Sequence, residues 1–335
     1  MASTLNRALI IGPEGASYGT YSPPARSLEF IDGDTAFSSE PTIVQGQGIR
    51  AGALLDSGAR RAVVKQDAPG SLGVEVLAKG QGLLWSYLLG GTPTSTLVAG
   101  STYQQVFTLG DLVSFNTQEQ WYYVAADGTF TAIPYSWLGC MVQDWELTMG
   151  AEIATLKATI NARKKDTGQS AVAVTLPSTA TQPLGRAALS IYTGTLTAAT
   201  ATALASATSD ISSAVEQVVI KCNNNLNLDR PGSAGLKGKP VAQKRELTIT
   251  ATVEHRDSTW EDAHANQTAV SLLTDYAGLA LSTGTERFQV AVADGRVAKV
   301  TKKVENGVPK LDLELVGTDA TTPLQVVFRT SDTAL

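Results

Sequence analysis

Hydrophobic and polar positions along this chain change their period twice, in the same order. The run Leu72–Lys79 (LGVEVLAK) alternates apolar and polar residues and leads into an apolar segment, Gly82–Leu89. The run Glu246–Glu254 (ELTITATVE) alternates in the same way and leads into Trp260–Tyr276. Period-two alternation marks a strand with one wetted face, and an apolar ridge recurring every three to four residues marks a helix. Each run follows an extended segment and a long polar loop, and each helix is followed by further alternating runs. A repeat of pattern and order, with little residue identity, predicts two related β-rich units.

In the first half, Ser27–Ile31 and Thr42–Ile49 predict strands, and Ala51–Gly70 a long loop. Gly82–Leu89 predicts a short helix stopped by Gly90–Gly91. Strands are predicted at Tyr103–Leu109, Trp121–Ala125, Tyr135–Thr148 and Glu152–Ala162, with tight turns at Asp127–Gly128 and Met149–Ala151. Within Met141–Leu147, Asp144 and Glu146 alternate with apolar neighbours, as on a half-solvated antiparallel strand. Lys164–Gly168 breaks the pattern. Pro177–Ala214 is rich in Ala, Thr and Ser around one apolar island, Ala187–Tyr192. It reads as a link with an embedded strand; whether Leu196–Ala207 is a short Ala-rich helix, periodicity does not decide.

In the second half, Ala214–Lys221 predicts a strand and Cys222–Lys244 a second long loop. Ser258 stands three residues before Glu261, the spacing of a capping box, and Asp262 places favourable charge near the helix start. Ala263, Val270, Leu273 and Ala277 fall roughly on one helical face, with Trp260 and Tyr276 at its margins and Gly278 as the stop. Phe288–Ala293, Val297–Val304, Leu311–Val316 and Leu324–Arg329 predict the closing strands, with hairpin turns at Asp294–Gly295 and Asn306–Gly307. The expected organisation is an extended arm (1–41), a first β unit (42–168), an Ala/Thr/Ser-rich linker with an embedded strand (169–213) and a second β unit (214–335).

Composition narrows the function. A chain of 335 residues, 43% hydrophobic, has the length of about two domains and enough apolar residues for a folded core. A net charge of −5 argues against a dedicated nucleic-acid binder, which needs a basic stripe to release counterions, and does not exclude a surface that DNA passes without adhering. The opening MASTLNRALIIGPEG has too short an apolar core for a signal peptide, and no run approaches the ~18 apolar residues of a membrane-spanning helix. The expectation is a soluble chain made in a cytoplasm. Cys140 and Cys222 read as small buried residues or free thiols.

Candidate chemistry is sparse. Gly15-Ala16-Ser17-Tyr18-Gly19 fits G-x-S-x-G, but a nucleophile elbow needs a helix directly after the serine, and Pro23–Pro24 arrive too soon. Gly46-Gln47-Gly48 and Gly80-Gln81-Gly82 do not complete a phosphate-binding motif and read as turns or bulges. His255 and His264 lie near Asp257, Glu261 and Asp262, yet the spacing matches no ligand pattern and helix capping accounts for the carboxylates. No catalytic, cofactor-binding or metal-ligating residue and no cofactor is assigned. The long loops carry Arg60, Arg61 and Lys65, then Arg230, Lys237, Lys239 and Lys244, with Arg245 following; the reading is contact with acidic surfaces of neighbouring subunits.

The chain resembles the major tail tube proteins of long, non-contractile-tailed (siphovirus-type) bacteriophages over nearly its whole length. The resemblance rests on Glu14-Gly15-Ala16-Ser17-Tyr18-Gly19-Thr20, on the strand and apolar helix in Gly70–Gly90, on Tyr135–Val142 with its Gly139-Cys140 step, and on Asn223-Asn224-Asn225-Leu226, where Asn223 replaces the more usual Asp. It implies a mainly β fold of two barrel- or sandwich-like units, each flanked by one helix. It implies subunits joined edge to edge in rings that stack into a tube: three chains with pseudo-sixfold symmetry, or six. Implied partners are other copies of the chain and the tail tip, tape measure and tail terminator proteins, with genomic DNA passing unbound through the lumen and no membrane. The implied location is the virion tail. Two readings compete. A β-rich host- or carbohydrate-binding virion surface protein would cluster exposed aromatics, for which Trp121, Tyr122 and Tyr123 are the candidates. A hydrolase would be built on Ser17.

Overall fold

Backbone hydrogen bonding in this chain runs almost entirely between antiparallel strands, and a single connected sheet system threads both halves. The computed structural model describes residues 7–48, 58–124, 129–150, 152–176, 182–232, 235–333 and 335. The principal elements of the first half are β1 (Arg7–Pro13), β2 (Ala36–Phe37), β3 (Glu40–Gln45), β4 (Arg61–Glu75), α1 (Gly82–Leu89), β5 (Thr102–Thr108), β6 (Phe115–Val124), β7 (Phe130–Met149) and β8 (Thr155–Ala162). Those of the second half are β9 (Leu189–Thr193), β10 (Val215–Asn223), β11 (Glu246–Glu254), α2 (Thr259–Asn266), β12 (Ala269–Ala280), β13 (Thr285–Glu305), β14 (Val308–Gly317) and β15 (Leu324–Thr330).

The repeat read from the sequence is present as topology. In the first half the pairing order is β1–β6–β7–β8–β4–β2. In the second it is β9–β12–β13–β14–β11–β10. A helix separates β4 from β6 in one half and β11 from β12 in the other. Even an irregularity repeats: β7 carries an extra residue, Gln143, between Val142 and Asp144, and β13 carries Ala298 between Val297 and Lys299. β10 joins the halves by pairing with β11 on one side and β7 on the other.

One apolar core runs under both halves. Trp85 of the predominantly apolar helix α1 is buried between Trp145 of β7, at 5.8 Å between ring centroids, and Phe288 of β13, at 5.5 Å. A helix apolar on every face has to be enclosed on every face, and this one ends at Gly90, whose φ of 77° supplies the left-handed cap. α2 is the opposite case, with Ala263 its one buried residue, and it lies on the surface beside β13.

The linker is a strap. Glutamine side chains hold it, because a carboxamide offers the same N–H and C=O pair as a peptide group. Gln289 accepts from Ala205 N at 2.9 Å and donates to Ala205 O at 3.2 Å. Gln325 makes the same two bonds to Ala199 at 2.8 and 3.1 Å, and Gln104 donates to Thr200 O and Ala203 O. In the first half Gln118 and Gln120 donate to Ser170 O and Val172 O. A small second cluster, including Val106, Leu273 and Val327, is sealed beneath Ala199 and Ala205.

Several expected elements change. The helix expected over Trp260–Tyr276 ends at Asn266, with Gln267 left-handed at φ 50°, and the rest is β12. β12 is buried on both faces, Leu272 and Tyr276 in the main core and Leu273 under the strap, so its period-two signal is erased and the residual spacing mimics a helix. The capping box does not form: Ser258 Oγ bonds Asp262, and Glu261 turns to Lys302 and His255. Most of the described part of the expected loop Ala51–Gly70 is β4, paired with β3 in a projecting hairpin; residues 51–57 lie outside the described residues. The expected arm supplies β1, paired with β6, and β2, paired with β4. Asp294–Gly295 is no hairpin turn but a point within the 21-residue β13 near which its partner changes from β15 to β14. Leu196–Ala207 is irregular, closed by one bridge between Thr197 and Ser206. Asn306–Gly307 is a tight turn with φ of 50° and 80°, as a two-residue hairpin requires. The turn expected at Asp127–Gly128, and Ala151 of the other, lie outside the described residues.

Two outcomes follow from this packing. Gln289→Leu strands both backbone groups of Ala205 in a buried site and lowers unfolding stability by about 2–4 kcal/mol, measured by urea denaturation. Burial pushes the Cys140 thiol up to about 12 and Cys222 to about 11. Because the thiolate is the reactive form, neither is alkylated by iodoacetamide in the native protein at pH 8, and both react in denaturant; mass spectrometry of the labelled chain checks this.

Candidate functional site

The feature with functional geometry is a surface, the polar face of the sheet ordered β2–β4–β8–β7–β10–β11–β14–β13. Strict alternation builds it, since successive side chains of a strand point to opposite faces. Leu72 and Val74, Leu156 and Ile160, Trp145 and Leu147, Val218 and Ile220, Ile249 and Val253, and Leu311 and Leu313 all point into the core. The residues between them make the other face, chiefly Thr, Ser and Asn with paired charges.

The pairing follows the register. Lys221 of β10 is opposite Glu146 of β7, with 2.8 Å between the charged groups, so this ion pair spans the junction of the halves. Lys303 meets Asp312 at 2.9 Å and Lys157 meets Asp34 at 2.9 Å. The Lys303 ammonium is raised by its hydrogen bond to Asp312. Burial works to raise the Asp312 carboxyl, but Lys303 and the Thr252 hydroxyl outweigh it and hold it below the usual carboxylate range. Both partners therefore stay ionised at neutral pH. Among the described residues, the acids Glu75, Asp144 and Glu314 face the same side without an ion-pair partner, as does the single lysine Lys299. The face is thus polar and acidic on balance, and its lysines are largely neutralised locally.

The junction is also where the Asn223–Leu226 motif sits. Asn224 is buried; its backbone N–H donates to Gln143 O at 2.8 Å and its side chain to Val142 O at 3.0 Å, meeting the carbonyls freed by the β7 irregularity. Asn225 takes a left-handed φ of 45° and ties Lys244 O. Tyr135–Val142 lies in β7, where Gly139 at φ 64° lets Tyr18 and Arg163 close over the strand. Glu14 closes its own loop by accepting from Gly19 N and Ser114 Oγ. The resembling motifs thus place turns, corners and the junction rather than a reaction centre.

The chemical candidates have structural partners. Ser17 sits in a tight loop in which Thr20 N donates to Ser17 O, and no helix follows it. Gln81 of Gly80-Gln81-Gly82 bonds Leu77 N and Glu75 O to set up α1. His264 bonds Ala298 O at 3.2 Å, and His255 lies 3.8 Å from Glu261. Several of the basic loop residues find partners within the chain: Lys65 and Lys237 both meet Asp67 and Asp229, while Gln66 N donates to Gly235 O, so the two long loops pack on each other. Arg230 bonds Lys239 O, Arg60 bonds Gly48 O, and Arg245 caps the end of α1 through Leu89 O and Gly110 O. Trp121 is stacked under Arg7 at 4.5 Å. The double pairing of β10 and the Lys221–Glu146 contact were missed in the sequence; the matching alternation of Val215–Asn223 and Glu246–Glu254 was the available signal.

A family model described as phage tail tube protein matches residues 4–323. No curated protein matches the chain. A match of that extent, on a mainly β chain whose two topologically equivalent halves form one sheet, leads to one conclusion: the chain belongs to the phage tail tube protein family, whose members are structural proteins of the virion tail.

Proposed function

We propose that this protein is the major tail tube subunit of a phage with a long, non-contractile tail, that three copies close a ring with pseudo-sixfold symmetry, and that stacked rings form the conduit through which DNA is ejected into the host. The observation that carries the reading is the continuous sheet in which two four-stranded sets, β2–β4–β8–β7 and β10–β11–β14–β13, follow one another in the same order. Six chains per ring would fit a molecule with one half in the wall and the other outside it. Here both halves contribute equally to one sheet, which favours three. The other copies are the primary partner, with tail tip, tape measure and terminator proteins at the tube ends. Synthesis in the host cytoplasm and a role without catalysis accompany this reading.

The polar face is assigned to the lumen. Its Thr-rich chemistry, mostly paired lysines and unpaired acids give DNA phosphates few counterion-releasing contacts, so the duplex slides. The β3–β4 hairpin exposes Ile43, Val44, Val63 and Val64, and the β6–β7 hairpin exposes Tyr123, Val124 and Phe130. Projecting apolar hairpins suit contact with the next ring.

Negative-stain microscopy and native mass spectrometry test this reading. Rings or hollow tubes whose ring mass is three chains are expected; a monomer that persists at high concentration counts against the whole reading, and six chains against the stoichiometry. For the lumen, Thr159→Lys with Thr250→Lys should leave tubes intact but slow DNA ejection from assembled phage by roughly tenfold at low salt, with recovery as salt rises. Unchanged ejection kinetics would remove the lumen assignment.

A further inference from the structure

The first half and the second half present complementary open edges. The ladder of each half can be followed strand by strand. Glu75 faces Thr155, which faces Thr148 of β7. In the same way Glu254 faces Lys310, which faces Lys303 of β13. Thr148 and Lys303 thus occupy equivalent places, as do Trp145 and Val300, and Asp144 and Lys299. On the other side, Ala36 and Phe37 lie opposite Ser71 and Gly70 as Val219 and Ile220 lie opposite Thr250 and Ile249, and Glu40 lies opposite Asp67 as Asn223 lies opposite Glu246. The segment 36–40 is therefore the counterpart of 219–223, with no shift.

Within the chain, 219–223 pairs with Asp144–Thr148. Its counterpart 36–40 and the counterpart edge Lys299–Lys303 each have a bonded neighbour on one side only, among the described residues. Resting on the tube reading above, we propose that Ala36–Glu40 of one chain pairs antiparallel with Lys299–Lys303 of a second copy, repeating between chains the β7–β10 junction made within each.

Three observations point to a second copy in this register. The register sets Glu40 directly opposite Lys299, opposite charges on two exposed positions. Val304 is 73% exposed although its equivalent, Met149, is 0% exposed because β10 covers it through Val218; the incoming Thr35 segment would cover Val304 in the same way. The junction also stops where it should. At the intrachain junction the carbonyls of Val142 and Gln143 are met by Asn224. Their equivalents, Val297 O and Ala298 O, are already met by Gln267 and His264, and the residue that replaces Asn224 is Pro41, which has no N–H to give. A head-to-tail contact of this kind uses two different surfaces and closes a ring when its rotation permits.

Paired cysteines test the register. In assembled full-length protein, Ser38→Cys with Thr301→Cys is expected to give disulfide-linked chains up to the closed ring on non-reducing gels. Ser38→Cys with Lys303→Cys, two residues out of register, should cross-link at least tenfold less. Charge exchange is the second arm: Glu40→Lys should raise the protein concentration needed for half-assembly by about tenfold, and Lys299→Glu added to it should restore assembly. Both sites are exposed, and circular dichroism of each variant confirms folding. Tubes that form normally with no cross-link in register, or a double exchange that assembles no better than the single one, overturn the proposed edge and leave the tube reading standing. Failure of the unaltered protein to assemble overturns the tube reading itself.

Discussion

A strand at the edge of a sheet exposes a row of unmet N–H and C=O groups, and the rest of this structure depends on how that demand is met. β10 meets it once, inside the chain, by lying between β7 and β11. That single strand turns two similar sets of strands into one wall with one apolar side and one polar side. Most of the apolar side chains of these strands then gather on the buried side, with Trp85 of α1 at the centre, and most of the polar ones stay on the other. A division into separately packed halves would have left the β7 edge and the β10 edge bare.

Covering the outer layer posed a second demand. The sheet formed by β5, β15, β13 and β12 has its second face sealed by a strap that makes almost no regular pairing of its own. Buried strap backbone requires partners, and the glutamines on the strands supply them as side-chain substitutes for peptide groups. The buried Gln residues, which look misplaced in a core, are thus the condition for an Ala- and Thr-rich linker to remain ordered.

These two demands explain what could be read from the chain. α1, almost wholly apolar and stopped by Gly90, was legible to the residue, and so was β11, whose faces differ. The repeat was legible as an order of patterns. β12 was not, because burial on both faces removed the alternation that marks a strand. β13 was divided in two because Asp294–Gly295 writes the same signal for a bend as for a turn. The capping spacing at Ser258 and Glu261 was real, but Lys302 competed for the glutamate and won. The wall itself could not be read at all: it depends on which strands pair over long sequence separations, and only residues such as Lys221 and Glu146, matched in charge across the junction, hint at it.

Equivalent positions in the two halves differ in chemistry where their surroundings differ. Leu147, inside the covered junction, is replaced by Lys302, and Trp145 by the smaller Val300. An edge covered at all times can be lined with large apolar groups. One that stands open until a second copy arrives cannot, since a long apolar edge invites pairing in any register. Lys299, Lys302 and Lys303 blunt the open edge, and the pairing there is left to one charge opposite and to backbone groups in a fixed register. The repeated strand set therefore supplies the geometry of the contact, while the difference between its edge residues separates the junction that folds from the junction proposed to assemble.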